Sequence, residues 1–312
     1  MNLLLSGDWH LTDKKPEKRT DNYVMTQYNK VRYIFSFAKK YGCEFIIQPG
    51  DMFDTYRTSE YLKQMYIELF LKQKKDNNIN ILTIYGQHDL KYHSSIRDDT
   101  TLKVFKEAKA VSILESENKN LIIIPTDSKL LYVYGCSWDE EIPKPEEHKH
   151  AIHILVLHKM VINEKKLFQK QTDFVSAKHL LELGFDLVVS GDNHQKFSVI
   201  GKDRSLVNCG SLMRSKIDQA NHIPYIFIYN TETKSLTEIF LPVLLFEKVM
   251  NLEEVEKEKQ VNRELELFIE QLISSDEFGL NYKDNLSNYM KINNIPILIQ
   301  TIIGEGVRNA NK

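Results

Sequence analysis

The sequence predicts an α/β fold: a four-layer α/β/β/α sandwich over residues 1–242, followed by a helical appendage over residues 243–312. Three observations carry that prediction. The first half repeats an apolar strand, a turn rich in ionisable residues and an amphipathic helix. The second half changes to short alternating strands with hairpin-type turns. Beyond Pro242, apolar residues recur at helical spacing in a background of Glu and Lys.

The repeat begins at once. Leu3-Leu4-Leu5 leads into Ser6-Gly7-Asp8-Trp9-His10, and after a polar loop Tyr28, Val31, Ile34, Phe35 and Ala38 fall on one helix face. Phe45-Ile46-Ile47 leads into Pro49-Gly50-Asp51-Met52-Phe53-Asp54, with Tyr61, Met65, Leu69 and Phe70 marking the next helix. Residues 81–84 lead into Gly86-Gln87-His88-Asp89. Loops that follow neighbouring strands gather at one end of a sheet, where α/β proteins keep their sites. Downstream, residues 121–124 and 130–134 read as strands around the turn Pro125-Thr126-Asp127-Ser128. A strand at 152–157 ends at His158. A helix near 176–183 precedes the strand 187–189, which ends at Ser190-Gly191-Asp192-Asn193-His194. Strands at 205–207, 225–229 and 235–240 follow, with turns at Gly201-Lys202-Asp203 and Asn230-Thr231-Glu232. The first sheet is expected to be mostly parallel or mixed, and the second to hold more hairpins. In the appendage, Leu265, Phe268, Ile269 and Leu272 mark a helix within 251–271 that stops at Ser274-Ser275-Asp276, and a second segment, 286–303, runs up to Gly304-Glu305-Gly306.

With 312 residues, 42% of them hydrophobic, the chain has material for one large domain and a smaller one. Cys43, Cys136 and Cys209 lie far apart and form no C-x-x-C pair, so neither a disulfide framework nor a cysteine zinc site is indicated. That fits a reducing cytoplasm. The first residues show no basic region and no cleavage site, so they read as a buried strand rather than a leader. No run approaches the roughly 18 apolar residues of a membrane span, and no membrane partner is expected. A formal net charge of -2 speaks against a passive polyanion binder, but bound cations would supply positive charge locally.

The ionisable residues that end the strands suggest what such cations would do. Carboxylates crowded into one cleft repel each other and lose solvation, and divalent metals offset both costs. A two-metal site needs a carboxylate that bridges the ions, and Asp51, in its tight glycine turn, is assigned that place. Asp8, His10 and His194 then complete one ion's ligands; Gln87, His158 and Asp192 complete the other's. Oxygen and imidazole ligands without thiolate favour Mn, Fe, Zn or Ni over Ca, and two Mn ions are expected. A water bridging the ions would attack phosphorus in line, His88 would protonate the leaving oxygen, and Asp89 or another carboxylate would fix the His88 tautomer. Asp54 is read as bracing its loop, and Trp9 and Phe53 as packing residues. The basic run Lys14, Lys15, Lys18, Arg19 reads either as a solvated loop or as a polyanion contact. Lys14, Lys18, Arg19 and the downstream Arg214 are the candidate substrate-binding residues.

Taken in order, Gly7-Asp8-Trp9-His10, Gly50-Asp51-Met52-Phe53-Asp54, Gly86-Gln87-His88-Asp89, His158 and Gly191-Asp192-Asn193-His194 resemble the calcineurin-like metallophosphoesterase signature D-x-H, G-D-x-x-D, G-N-H-[DE], H and G-H-x-H. The resemblance covers residues 1–242. Within that superfamily the chain is most similar to SbcD-type and phage recombination nuclease subunits. Asp8-Trp9-His10-Leu11 followed by a basic loop carries that similarity, as does Asn208-Cys209-Gly210-Ser211-Leu212-Met213-Arg214, which is similar to N-P-G-S-x-x-R. The resemblance implies a metal-dependent exonuclease, with endonuclease activity as an extension, acting on DNA in repair and recombination. It also implies a catalytic role for His88 and an SbcC-type coiled-coil ABC ATPase as partner, docked through helices after the catalytic domain. A homodimer is a further expectation. Two positions depart from the pattern: Gln87 stands for the usual Asn, and Asp192 for the usual first His, both on the ion served by His158. Two alternatives stay open: a small-molecule phosphomonoesterase or cyclic-nucleotide phosphodiesterase, and a metal-poor scaffold.

Overall fold

The structure, a computed structural model, describes residues 1–115, 121–126, 128–146, 148, 150–163, 174–214, 222–274, 286, 290–291 and 295–309. The chain divides into two compact units, Met1–Val249 and Met250–Lys312.

In the first unit, Asn2–Leu5 (β1), Cys43–Gln48 (β2), Asn80–Thr83 (β3) and Ser112–Ile113 (β4) pair in parallel. The strands Leu121–Pro125 (β5), Leu130–Cys136 (β6), Ala151–His158 (β7), Leu187–Gly191 (β10), Phe197–Ile200 (β11) and Ser205–Asn208 (β12) build a second sheet in the order β11-β12-β10-β7-β6-β5. Its four central strands are parallel, and β5 and β11 are antiparallel edges. Val161–Ile162 (β8) and Val175–Ser176 (β9) form a separate parallel pair. Tyr225–Asn230 (β13) and Leu236–Phe240 (β14) make a hairpin that returns to the first sheet, where β13 lies antiparallel to β1. The second sheet holds the hairpins β5–β6 and β11–β12.

The layers follow from the alternation of side chains along each strand. Leu4 and Ile46 point to one core with Val31, Phe35, Leu69 and Phe70, from the helices Tyr23–Lys40 (α1) and Glu60–Asn77 (α2), and Phe105 from Thr101–Glu107 (α3). Leu3, Leu5 and Ile47 point the other way and meet Ile154, Val156, Val189 and Val207 between the sheets. Leu155, Leu157 and Val188 face outward against Leu180 of the helix Ala177–Glu182 (α4) and Phe185. Four layers result. Trp9 and Phe53 are fully buried, Trp9 edge-on to Phe70 at 5.9 Å and Phe53 against Phe105 at 4.9 Å. All three cysteines are buried and free.

Residues 243–249, expected in the appendage, go with the first unit. The Arg214 guanidinium donates to the Leu244 carbonyl, and Thr20 N–H donates to the carbonyl of Val249, which ends the short helix Phe246–Val249 (α5), at 3.0 Å. The second unit contains the helices Leu252–Ser274 (α6) and Ile297–Asn309 (α7). The side chains of Phe268, Ile269 and Leu272 lie outside the described residues, as do Asp127, Ser275 and Asp276. Helix α7 continues through Gly304 and Gly306, where the sequence suggested an end. A glycine costs only about 1 kcal/mol in a helix interior, too little to end one by itself. Among the described residues, no helix is long and apolar enough to cross a membrane.

Lys30, on α1, is buried, and its ammonium donates to the Leu212 carbonyl at 2.9 Å. Burial, with Arg214 and Arg19 nearby, lowers its pKa to about 7. The folded value therefore lies below the unfolded one, and the unfolded chain binds more protons between them. Stability should rise as pH goes from about 7 toward about 10. Urea unfolding across that range should show the rise, and Lys30→Met should flatten it.

Candidate metal centre

The loops that follow β1, β2 and β12 are stitched together by their backbones. Trp9 and His10 N–H both donate to the Asp51 carbonyl, at 3.1 and 2.9 Å. Asp8 N–H donates to the Gly210 carbonyl at 3.2 Å, and Leu212 N–H donates to the Asp8 carbonyl at 2.8 Å. His10, Asp51 and Asp192 adopt φ of +44°, +48° and +72°. That left-handed conformation is unfavourable for residues with a side chain and collects at functional sites. Gly50 has φ +92°, and a Cβ there would stand 2.7 Å from His158 Nδ1, so only glycine allows the turn and the imidazole to approach.

Asp51 sits at the centre. Its Oδ1 accepts from His88 N–H at 2.8 Å. Its Oδ2 lies 3.2 Å from His158 Nε2 and 3.7 Å from His10 Nε2. His158 Nδ1–H donates to the Pro49 carbonyl at 2.7 Å, which leaves Nε2 of the neutral ring presenting a lone pair to a carboxylate. His10 Nε2 lies 3.0 Å from His194 Nε2, which is 3.7 Å from Asp8 Oδ2. The other Asp8 oxygen, Oδ1, is buried without a hydrogen-bond partner, as is His158 Nε2. Acceptors thus face acceptors. A cation resolves this, and two donors about 2.1 Å from one ion stand about 3 Å apart in an octahedral shell. Among the described residues, the ligand atoms of Asp8, His10 and His194 lie within 4.8 Å of one another, as do those of His10, Asp51 and His88. The residues fit divalent metal.

The charges agree. Burial works to lower the His158 pKa, but Asp51, Asp8 and Asp192 overcome it and lift it to about 10: without metal the acceptor clash is relieved by a second proton at Nε2, the position that the neutral ring would offer to a cation. Burial also drives the Asp8 carboxyl well above its usual range, with Asp51 and Asp192 adding repulsion. Asp51 is held below the carboxylate range although burial opposes this, because His158, His10 and His88 surround it. Burial lowers His10 to about 3, with His194 and His88 contributing.

Residues 1–196 match the calcineurin-like phosphoesterase family. The chain belongs to it. The family depends on a pair of metal ions, and this calcineurin-like phosphoesterase presents candidate ligand groups for them. It is 27% identical over 121 residues to exonuclease subunit 1 of Enterobacteria phage T4, covering 37% of this chain and 33% of that protein. It is 23% identical over 305 residues to the double-strand break repair protein MRE11 of Encephalitozoon cuniculi, covering 81% of this chain and 51% of that protein. The chain therefore spans about half or less of the length of these curated relatives. Among solved structures, a dimetal phosphatase from Danio rerio aligns with a TM-score of 0.49 at 9% identity, over 78% of this chain and 97% of that one.

In this calcineurin-like phosphoesterase, His158 of the second expected set stands closest to Asp51, at 3.2 Å. Asp192 N–H donates to Asp8 Oδ2 at 2.9 Å, and its charge acts on Asp8 and His158. Gln87 occupies the turn before His88 and is half-buried. Asp89, expected to orient the His88 ring, does not do so. Its buried carboxylate accepts from the N–H groups of Met52, Phe53 and Gly86 at 3.2, 3.0 and 3.1 Å, a hub for two loops. The Asp54 carbonyl instead accepts from His88 Nδ1–H at 2.8 Å. Arg19 and Arg214, expected at the substrate, are 3% and 5% exposed. Arg19 forms a bidentate pair with Asp21 at 2.8 and 2.7 Å and donates to the Arg214 carbonyl at 3.0 Å. Neither lines the cavity over the metal ligands. That cavity, about 320 Å³, has His10, His88, His194 and Asp54 in its floor and Lys14 and Lys15 in its wall; half-buried Lys18 is not in its lining.

Sequence reasoning missed several neighbours. Asp54 lies 3.6 Å from His10 Nδ1, beyond mere loop bracing. Tyr23, Ser211 and Met213 line the cavity, and exposed His93 stacks edge-on against His88 at 5.2 Å. His93, three residues past Leu90, was the one with a visible signal, a second histidine beside the third motif. Asp51→Asn should lower bound metal from about two ions per chain to below one, because one oxygen faces ligands of both sets. Elemental analysis after Mn loading and desalting would measure this.

Proposed function

We propose that this chain is a two-metal phosphodiesterase that cleaves DNA as an exonuclease, with endonuclease activity as an extension. The observation that carries the reading is Asp51 Oδ2 lying between His158 Nε2 and His10 Nε2, one from each expected ligand set. The proposed ligands are Asp8, His10, Asp51 and His194 for one ion, and Asp51, Gln87, His158 and Asp192 for the other. Bound in pairs, divalent ions, Mn by preference, supply Lewis acidity toward the phosphoryl oxygens and an acidified water as nucleophile.

The remaining work falls to the chain's own side chains. A carbonyl only accepts, so His88 Nδ1 keeps its proton on Asp54, and Nε2 is the position that gains or gives one. The ring lines the cavity, suited to protonating a leaving oxygen. Lys14 and Lys15 at the wall can hold the phosphates flanking the scissile one. DNA as substrate is supported by the names of two relatives, an exonuclease subunit and a double-strand break repair protein. An SbcC-type ATPase as partner is supported by apolar residues exposed on the second unit's helices, Leu252 and Leu267 on α6 and Ile297 and Leu298 on α7.

Incubation with labelled single- and double-stranded DNA in Mn, Mg, Zn or EDTA tests this. Mn-dependent cleavage abolished by EDTA is expected; turnover of a small phosphoester without DNA cleavage would replace the reading with a small-molecule phosphoesterase. His88→Ala should keep its metal and lose about 10²–10⁴ in kcat, the scale of general acid catalysis. Lost metal in that variant would mark His88 as a ligand.

A further inference from the structure

The turn that follows the Asp89 hub carries an aromatic ring that the core does not use. Leu90 is buried, and past it the turn Lys91–His93 places two successive residues in the left-handed region, Tyr92 at φ +55° and His93 at φ +52°. That backbone is unfavourable for a bulky side chain and persists only where the surroundings enforce it. They do so here. Lys91 N–H donates to the Ile96 carbonyl at 3.1 Å and His93 N–H to the Leu90 carbonyl at 3.2 Å, while Ser94 closes on the Lys91 carbonyl through its N–H at 3.2 Å and its hydroxyl at 2.7 Å. The ring this turn presents is 72% exposed, so it gains little of the burial free energy that usually settles an aromatic side chain.

Tyr56 backs Tyr92 edge-on, with ring centroids 5.3 Å apart, and Thr101 N–H fixes the Tyr56 carbonyl at 2.6 Å. Cations flank both rings: Lys91 Nζ is 5.7 Å from the Tyr92 centroid, the Arg57 guanidinium is 5.8 Å from that of Tyr56, and both cations pair with Asp99. The two tyrosines approach His88 from different loops. His93, next to Tyr92, stacks edge-on against His88 at 5.2 Å, and Tyr56 lies two residues past Asp54, whose carbonyl accepts from His88 Nδ1–H. A rigid aromatic surface with cationic neighbours, beside the histidine assigned to the leaving oxygen, has the chemistry on which unpaired bases stack.

We propose that Tyr92, backed by Tyr56, is a stacking platform that positions an unpaired nucleobase beside the scissile phosphate. The proposal rests on the phosphodiesterase reading and adds to it a reason for choosing nucleic acid over other phosphodiesters. Every base has a π face, so the platform demands a base without demanding a particular one.

Cleavage kinetics in Mn on two strands of equal length test it: an oligodeoxythymidylate, and a base-free strand of tetrahydrofuran phosphates with the same charges. The base-free strand should show a KM at least about tenfold higher, the scale of one stacked base. Tyr92→Ala should raise KM about tenfold on the thymidylate strand alone, and Tyr92→Phe, which keeps the π face, should restore it. Equal KM for the two strands, no change in Tyr92→Ala, or an equal rise on both strands would overturn the platform, and the cleavage itself would leave the phosphodiesterase reading standing. Should neither strand be cleaved, that reading falls and fluorescence anisotropy of the same end-labelled strands with Mn-loaded protein decides the platform. Tighter binding of thymidylate, weakened about tenfold in Tyr92→Ala and regained in Tyr92→Phe, supports it. Binding that ignores either the bases or the ring, or no binding, overturns it.

Discussion

One carboxylate organises the centre. The Asp51 carbonyl receives the backbone of the loop after β1, its Oδ1 receives the backbone of His88, and its Oδ2 faces two imidazoles. Three loops from distant parts of the chain are thereby held by a single residue whose own backbone is strained, at φ +48°. Such strain persists only where the surroundings over-determine it. Here they do: both faces of the sheet are packed, Leu4 and Ile46 on one side and Leu3, Leu5 and Ile47 on the other, so the strands that carry the loops have no room to shift.

Much of this was legible because it is local and periodic. Leu3-Leu4-Leu5 shows no polar alternation, which marks a strand buried on both faces, and the structure divides those residues between two cores. The order of the motif residues was equally readable, since each sits directly after its strand. The roles of Asp89, Arg19 and Arg214 were not. Asp89 is spent on backbone N–H groups of another loop, a contact with no side-chain signature. Arg19 belongs to what looks like a solvated basic run, but it is buried and one of its hydrogen-bond partners, the Arg214 carbonyl, lies 195 residues away. Likewise the hairpin β13–β14 joins the first sheet because β13 pairs beside β1 across most of the domain, which short-range pattern cannot report.

The electrostatics connect these readings. Burial and the nearness of Asp51 raise the Asp89 pKa to about 7, and burial with Asp51 and Asp192 raises Asp8 well above the usual carboxylate range. Carboxylates so placed are destabilising as anions unless positive charge arrives, and the histidines around them cannot all be protonated, as burial and mutual repulsion hold His10 down to about 3. The Asp for His exchange at position 192 deepens the imbalance by adding an anion beside Asp8 and His158. Excess negative charge therefore collects at the metal ligands. A divalent cation held among these ligands would relieve that imbalance, which is why the same residues that strain the metal-free centre suit it to metal.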